Sequence, residues 1–486
     1  MKLYNIYKEG MIINPDGVAI DCNEENYSYR EFDMKIQRLA YKIREEGIMQ
    51  NSKILMVVDH PLIFVTTFFA LSYLGTVIMP IYTKTGLNKM EDIIDTYDIN
   101  YIVKESKLEK LKFNKKYQYI NDIEELTLYK CSECIDATLE SVKLILFTSG
   151  TTNIPKSIML SNDNILSNVK AISAYLKLNS TDNILLIKDL SHSSSIIGEL
   201  LVGIFNGCKI VLNYSLPRIN SILKLISTKK ISIFFAVPTL LKGIVEYSKL
   251  KKYDMSSLRI INFYGASMHS KDIMKVIEKF PKVNLIYSYG QTEASPRVTY
   301  IEKKDLLTHS SSSGKAIEKV IVEVLNESGD VAAPMEIGEI TIIGPNVMLG
   351  YYRNEDKTRK TIKNNRLYSG DLGYMDDEGF LYVIGRKDNM IISAGKNIYP
   401  EEIEGVLTSY KDIKEVLVVD KKNDNATSEL IAYVVLNENV HLNNEAIYVY
   451  SRIHLENYKI PKEIIVVKQL EKTASGKIKR INKIKE

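Results

Sequence analysis

At 486 residues the chain exceeds the size at which a single hydrophobic core stops growing, so two or more packed units are expected. Its composition, 45% apolar and 26% charged, is that of an ordinary soluble protein. A formal net charge of +4 is too mild over this length to point to nucleic acid as a partner, although the stretch 472–485 is locally basic.

In chain order, the first residues lack the uninterrupted apolar run of a signal peptide. Residues 29–46 carry an amphipathic helical pattern, 53–58 read as a strand and 62–73 as a helix. No residue from 62 to 82 is charged, which is about the span of a membrane helix. Gly75, Pro80 and the β-prone Thr76-Val77-Ile78-Met79 break that run, so a core helix followed by a buried strand is predicted, with no membrane span. The four cysteines, Cys22, Cys131, Cys134 and Cys208, are too few and too scattered for a disulfide framework. Cys131 and Cys134 form a CxxC, the pattern of a redox pair or of half a zinc site, but no second pair or nearby His completes a site, and a reducing, cytoplasmic location is the simpler expectation.

Helical patterns and Val/Ile-rich runs then alternate at 183–187, 196–205, 209–212, 219–227, 231–235 and 258–263, the signature of α/β layers with parallel strands. After residue 314 the β runs crowd together, at 320–325, 339–343 and 380–384, with turn residues such as Asp376-Asp377-Glu378-Gly379 between them. A smaller, largely antiparallel lobe is predicted there. From residue 389 a compact unit of about a hundred residues is expected, with helix 401–407, strands 415–419 and 429–436, helix 444–455 and strand 463–467.

The most informative segment is Thr148-Ser149-Gly150-Thr151-Thr152-Asn153-Ile154-Pro155-Lys156, which directly follows the apolar run Leu144-Ile145-Leu146-Phe147. Hydroxyls, a glycine and a lysine at the end of a buried strand read as a phosphate cradle. Residues 150–157 nearly match the P-loop pattern G-x-x-x-x-G-K-[ST], with Pro155 where glycine belongs. That glycine lets backbone N–H groups close on phosphate at a helix N-terminus, whereas proline fixes φ and donates nothing. Ser157-Ile158-Met159-Leu160-Ser161 also reads as extended, so an ordinary P-loop ATPase is not expected.

With its company further along the chain, this loop resembles that of the adenylate-forming superfamily of acyl-CoA synthetases, peptide-synthetase adenylation domains and firefly luciferases. The family's loop is close to T-S-G-T-T-G-x-P-K-G, and here Asn153 and Ser157 replace the two later glycines. Tyr27-Ser28-Tyr29-Arg30-Glu31-Phe32 and Leu74-Gly75-Thr76-Val77-Ile78-Met79-Pro80 resemble its opening segments. Tyr287-Ser288-Tyr289-Gly290-Gln291-Thr292-Glu293 matches Y-G-x-T-E, and Ser369-Gly370-Asp371 with Gly385-Arg386-Lys387-Asp388 matches T-G-D and G-R-x-D. Gly395-Lys396-Asn397-Ile398-Tyr399-Pro400-Glu401-Glu402-Ile403-Glu404 and Ser475-Gly476-Lys477 complete an ordered set that covers essentially the whole chain.

The resemblance implies an α/β fold: a large N-terminal domain, 1–387, with two doubly wound sheets and a small β-rich lobe, then a small mobile α+β C-terminal domain, 388–486, hinged at Asp388. It implies attack of a substrate carboxylate on the α-phosphate of ATP, giving an acyl-adenylate and pyrophosphate, followed by transfer to a thiol. Such chemistry depends on positioning and on neutralising oxygen charge, so it needs donors, cations and a metal ligand rather than a nucleophile.

By the same resemblance, Thr148, Ser149, Gly150, Thr151, Thr152 and Lys156 hold the β- and γ-phosphates, and Gly265, Ala266, Tyr289, Gly290 and Gln291 belong to the nucleotide site. Asp371 accepts both ribose hydroxyls, and Arg386 touches ribose or phosphate. Glu293, joined by Thr148, is the expected Mg2+ ligand, oxygen donors beside phosphates suiting that ion. Thr292 reaches the α-phosphate. Lys477 is the expected catalytic residue, bridging carboxylate and α-phosphate oxygens where negative charge builds up. Viewed without the family, it is one lysine in a basic tail. Rotation at Asp388 brings the Gly395 segment to line the thiol channel.

His192, within Leu190-Ser191-His192-Ser193-Ser194-Ser195, stands where acyl- and aryl-CoA ligases carry a histidine beside the carboxylate pocket, and Tyr264, Ser288, Tyr289 and Ala294 would line the acyl pocket. An alternative alignment sets Asp189-Leu190-Ser191 on the F-D-x-S of amino-acid adenylation domains, whose Asp binds an α-ammonium, but it needs a gap. Tyr, Ser and His suit an aryl or short acyl acid better than a lipid chain. Expected ligands are ATP, Mg2+, a small carboxylic acid, and the thiol of CoA or of a phosphopantetheinyl carrier protein acting in trans. A stand-alone amino-acid adenylation enzyme and a luciferase-like oxidase are the alternatives, while retention of Lys477, Glu293 and Asp371 speaks against a degenerate non-enzymatic binder.

Overall fold

The computed structural model describes residues 3–23, 25–81, 83, 87–108, 116–132, 139–148, 155–213, 218–393, 396–422, 428–437, 440, 443–472 and 478–480. Cys134, Ser149, Gly150, Thr151, Thr152, Gly395 and Lys477 lie outside the described residues. The chain divides into two compact units, Met1–Val322 with Ile342–Leu367, and Glu323–Thr341 with Tyr368–Glu486.

The first unit is built on two large sheets. One has nine strands in the spatial order Lys315–Ala316, Arg297–Glu302, Asn284–Gly290, Ile260–Tyr264, Ile233–Ala236, Asn183–Leu186, Lys209–Leu212, Val18–Cys22, Glu25–Ser28. From Asn284–Gly290 to Val18–Cys22 all neighbours run parallel, and antiparallel strands close both edges. Strands such as Ile233–Ala236 and Ile260–Tyr264 are wholly buried, which is why they read as unbroken apolar runs. The edge hairpin Val18–Cys22 and Glu25–Ser28 was not foreseen. Its register, Ile20 opposite Ile210 and Cys22 opposite Leu212, is set by a partner far along the chain.

The other sheet has eight strands in the order Gly350–Tyr351, Lys156–Ser161, Val142–Thr148, Val77–Pro80, Lys53–Val57, Tyr101–Glu105, Leu126–Cys131, Tyr117–Ile123. Its middle is parallel and its margins antiparallel. The uncharged stretch after residue 61 is a 14-residue helix, Pro61–Leu74, buried along most of its length. At about 1.5 Å per residue it falls well short of the roughly 30 Å hydrocarbon core of a bilayer. Pro61 starts the helix and Gly75, at φ 78°, stops it in the left-handed region that glycine tolerates. The chain then enters the central strand Val77–Pro80. Among the described residues no helix is long and apolar enough to cross a membrane.

The second unit contains an antiparallel pair, Asp371 to Met375 of the strand Arg366–Met375 with Leu381–Arg386, and a three-stranded sheet of Ile413–Lys422, Ser428–Leu436 and Glu463–Val466. Helices Pro400–Thr408 and Asn444–His454 contribute Ile403, Leu407 and Ile447 to a core shared with Val418, Ala432 and Val434. These elements agree with the helices and strands expected after residue 389 to within three residues at each end, three of them longer and two one residue shorter.

Candidate active site

The phosphate-loop segment spans a hairpin, not a strand-to-helix turn. Val142–Thr148 pairs antiparallel with Lys156–Ser161, and Thr148 lies directly opposite Lys156. The backbone after Lys156 therefore runs extended, and no helix N-terminus stands where a P-loop requires one. Pro155 accepts a hydrogen bond at its carbonyl from the Tyr97 hydroxyl at 3.1 Å. Ser157, standing where the resembled loop pattern has glycine, is buried and donates its hydroxyl to the Tyr352 carbonyl at 3.1 Å. Tyr352 N–H returns a bond to the Ser157 carbonyl at 2.8 Å. The base of the loop is thus tied on both sides.

The segment Tyr289 to Glu293 leaves the carboxyl end of the strand Asn284–Gly290, and His192 and Ser193 follow the carboxyl end of Asn183–Leu186. Gly265 follows Ile260–Tyr264 at φ 91°, which favours glycine, and Ala266 beside it is exposed. The carboxyl edge of a parallel sheet is where open α/β folds bind ligands. Gly290 admits no side chain, since a Cβ there would meet the Pro296 carbonyl oxygen at 1.9 Å. Asn168 and Asn346 donate to the carbonyls of Ala294 and Arg297 and pin this segment from behind. Gln291, Thr292 and Glu293 are half-buried, and the Tyr351 hydroxyl donates to Glu293 Oε1 at 3.0 Å. The Ser193 and Thr292 hydroxyls stand 2.9 Å apart, joining the His192 segment to the Glu293 segment.

The acyl-pocket candidates divide. Ser288 is fully buried, its hydroxyl held by Asn262 at 2.9 Å and Tyr175 at 3.2 Å, and Ala294 is buried as well. Tyr264 donates its hydroxyl to Glu199 Oε1. Around the Tyr264 ring gather two cations, Lys188 Nζ 3.7 Å and the Arg297 guanidinium 3.6 Å from the centroid. Lys188 Nζ lies 3.6 Å from Glu199 Oε1. Lys188 Nζ, Glu199 Oε2, Ser195 Oγ and two nitrogens of Arg297 are buried with no hydrogen-bond partner among the described residues. Glu199 sits in a π-helical stretch, Ile196–Leu201, a local rearrangement of helix that is frequent at functional sites. Burial pushes the Lys188 ammonium down to about 8, against the pull of Glu199. Burial also holds the His192 imidazole below its usual value, with Asp189 opposing. Asp189 spends Oδ1 on the N–H and hydroxyl of Ser191.

In the second unit Asp371 and Arg386 are ladder partners, and Arg386 donates to Asp371 Oδ1 at 2.8 Å and to the Ser369 carbonyl at 3.1 Å. Ser369, standing for the family's threonine, donates to the Ile340 carbonyl and accepts from Asp371 N–H. Asp388 is exposed in the short turn Lys387–Asn389.

Sequence reasoning missed Ser193, Tyr351, Lys188, Glu199 and Arg297. Ser193 adjoins His192 and was within reach. The other four are brought in by strand ends and a π-turn, and no spacing in the sequence announces them.

Residues 13–352 match the AMP-binding enzyme family, and residues 402–477 match the AMP-binding enzyme C-terminal domain. The 2-succinylbenzoate–CoA ligase of Bacillus cereus is 29% identical over 481 residues, covering 96% of this chain and 95% of the relative. The o-succinylbenzoate CoA synthetase of Bacillus subtilis, solved with its acyl-adenylate intermediate, superposes with a TM-score of 0.85 at 24% identity, covering 98% of this chain and 96% of that one. An anthranilate CoA ligase solved with anthranoyl-AMP gives 0.86 at 21% identity, covering 98% and 95%. Matched by one family model across most of its length and by a second over the segment that ends at Lys477, the chain belongs to the AMP-binding enzymes of the adenylate-forming superfamily.

Proposed function

We propose that this protein is an AMP-forming acid–thiol ligase, which joins a small carboxylic acid to the AMP of ATP, releases pyrophosphate, and passes the acyl group to the thiol of coenzyme A. The observation that carries this reading is the Ser193–Thr292 hydroxyl contact. Through it, the segment assigned to the acid and the segment assigned to phosphate and metal share one edge of the nine-stranded sheet. Relatives named as CoA ligases support coenzyme A over a carrier protein as acceptor. Asp189, engaged with Ser191, lends no support to an α-ammonium site.

The acid we propose is aromatic with a second carboxylate, and 2-succinylbenzoate, named for the relatives, is the first candidate. The buried Lys188, Glu199 and Arg297 support this, since two cations and one carboxylate leave a single positive charge beside the Tyr264 ring.

Thr148, Lys156 and the loop residues between them would hold the β- and γ-phosphates, Thr292 the α-phosphate, and Asp371 and Arg386 the ribose. Among the described residues no group of three His, Cys, Asp or Glu side chains could cage a metal. Glu293 and Thr148 would hold a magnesium ion carried on the phosphates of ATP, which would neutralise phosphate oxygen charge there. Lys477 would neutralise charge between carboxylate and α-phosphate, and rotation of the part after Asp388 would exchange it for the Gly395 segment.

The test is carboxylate-dependent exchange of labelled pyrophosphate into ATP over a panel of 2-succinylbenzoate, benzoate, anthranilate, short aliphatic acids and amino acids, with and without CoA. Exchange with 2-succinylbenzoate and thioester formation only with CoA are expected. Lys477→Ala should lose exchange by about a hundredfold to a thousandfold, while premade acyl-adenylate is still converted to thioester. Unchanged exchange in that variant would sink the assignment.

A further inference from the structure

The chain on either side of Lys477 is anchored by a set of contacts that the reading above leaves unused. Lys472 and Ile478 form an isolated antiparallel bridge, and Lys479 N–H donates to the Glu471 carbonyl at 2.8 Å. Lys472 Nζ reaches Glu415 Oε1 at 2.5 Å. Beyond the bridge the anchor is Arg480. Its guanidinium meets Glu404 Oε2 at 2.6 Å, Glu401 Oε1 at 3.2 Å and the Val418 carbonyl at 3.1 Å. Glu404 uses its other oxygen to accept from Val418 N–H at 2.7 Å. Arg480 is thereby docked on both the helix Pro400–Thr408 and the strand Ile413–Lys422.

Glu401 has a second partner. The same Oε1 that faces Arg480 accepts from Asn389 Nδ2 at 2.6 Å. Asn389 directly follows Asp388, the hinge candidate. Gly385 explains how the carboxylate fits, because a Cβ there would stand 2.5 Å from Glu401 Oε2. One carboxylate therefore touches both the segment at the hinge and the arginine that secures the chain after Lys477.

We infer that Arg480 is the positioning residue for Lys477 and that Glu401 couples it to the hinge segment. The inference rests on the adenylation reading of Lys477. The covalent chain puts that lysine one residue before the bridged Ile478 and three before Arg480, and at about 3.8 Å per residue its reach is set by where those two are held. Arg suits the task because its planar fork grips two carboxylates and a carbonyl at once, which a lysine ammonium does with less directional control. Lys477 acts in one half-reaction only. Loosening Arg480 therefore has to damage adenylate formation and spare thioester formation, which a general loss of folding does not do.

The experiment uses the full-length protein at pH 8, with 2-succinylbenzoate as the probe acid. It compares pyrophosphate exchange with conversion of synthetic 2-succinylbenzoyl-adenylate and CoA to thioester. Arg480→Ala is expected to lower exchange by about a hundredfold, a size typical of a misplaced catalytic group, with thioester formation within about twofold of wild type. Arg480→Lys is expected to recover part of the exchange. Glu401→Gln, which keeps a group able to meet Asn389 but drops the charge, is expected to fall between. Equal loss in both half-reactions, or unchanged exchange, in Arg480→Ala overturns the inference. If Lys477→Ala itself retains exchange, the adenylation reading fails first and the inference falls with it, a result distinct from the other two.

Discussion

The two units hold their functional side chains in contrasting ways. In the first, the residues around the carboxyl edge of the nine-stranded sheet are fixed by hydroxyls and amides, as in Ser193–Thr292, Tyr351–Glu293 and Asn168 and Asn346 on the 294–297 backbone. The Lys188 ammonium, Glu199 Oε2 and two Arg297 nitrogens are buried close together there. In the second, side chains are fixed by ion pairs on a small sheet: Lys459 with Glu402 and Glu456, Lys472 with Glu415, Arg480 with Glu401 and Glu404, and Lys387 with Glu339. The hydroxyl and amide contacts of the first unit hold a surface in place ahead of the phosphate and acid proposed to bind there. The more exposed of the ion pairs, such as Lys472–Glu415 and Lys387–Glu339, can be broken and remade at little net cost, which suits the proposed role of Lys477 in one half-reaction only.

The sharpest way to break this comparison is Glu199→Leu. It leaves Lys188 and Arg297 as two buried cations without their carboxylate, and removing one member of such a group costs about 3–5 kcal/mol. Urea unfolding reads that loss directly. A change below about 1 kcal/mol would mean that the cluster is wetter than its burial indicates.

A smaller effect separates the units by pH. Burial pushes the Glu404 carboxyl from 4.5 up to about 7, against the pull of Arg480. Between those values the folded unit keeps a proton that the unfolded chain has released, so this group's contribution to stability is full below 4.5 and is lost as pH rises through about 7. Amide exchange of the helix Pro400–Thr408, followed from pH 5 to 7.5, should show protection falling with pH, and Glu404→Gln should flatten that slope. An identical slope in the variant would assign it to another group.

The smallest expected change is Tyr351→Phe. Losing one hydrogen bond to Glu293 costs about 1 kcal/mol, or about fivefold in the magnesium–ATP concentration needed for half-maximal exchange, with folding intact. No shift would show that Glu293 is placed by its backbone alone.

Much of this was legible beforehand. The apolar runs at 233–236 and 260–264 are strands because both faces of a parallel sheet are covered, and the helix Pro61–Leu74 announces its ends with proline and glycine. Pro155 alone separates the loop from a P-loop, and the antiparallel pairing of Val142–Thr148 with Lys156–Ser161 agrees. The edge strands Val18–Cys22 and Glu25–Ser28 were hidden because five and four residues carry too little periodicity to stand out, and their register is decided by Lys209–Leu212. Ser288 shows the limit for side chains: its motif neighbours point to a ligand, yet its hydroxyl is spent on Asn262 and Tyr175.

The family, the order of its motifs and the chemical types at the positions proposed for phosphate, ribose and metal are carried by the sequence, because each depends on a few residues close together in the chain. Only the tertiary structure decided what surrounds them. Lys188 and Tyr264 come from the carboxyl ends of two parallel strands, Arg297 from the start of the antiparallel strand Arg297–Glu302 and Glu199 from the π-helical stretch, and Arg480 finds Glu401 and Glu404 because a strand and a helix pack into one core. Contacts of that kind depend on where distant segments end in space, which local periodicity does not encode.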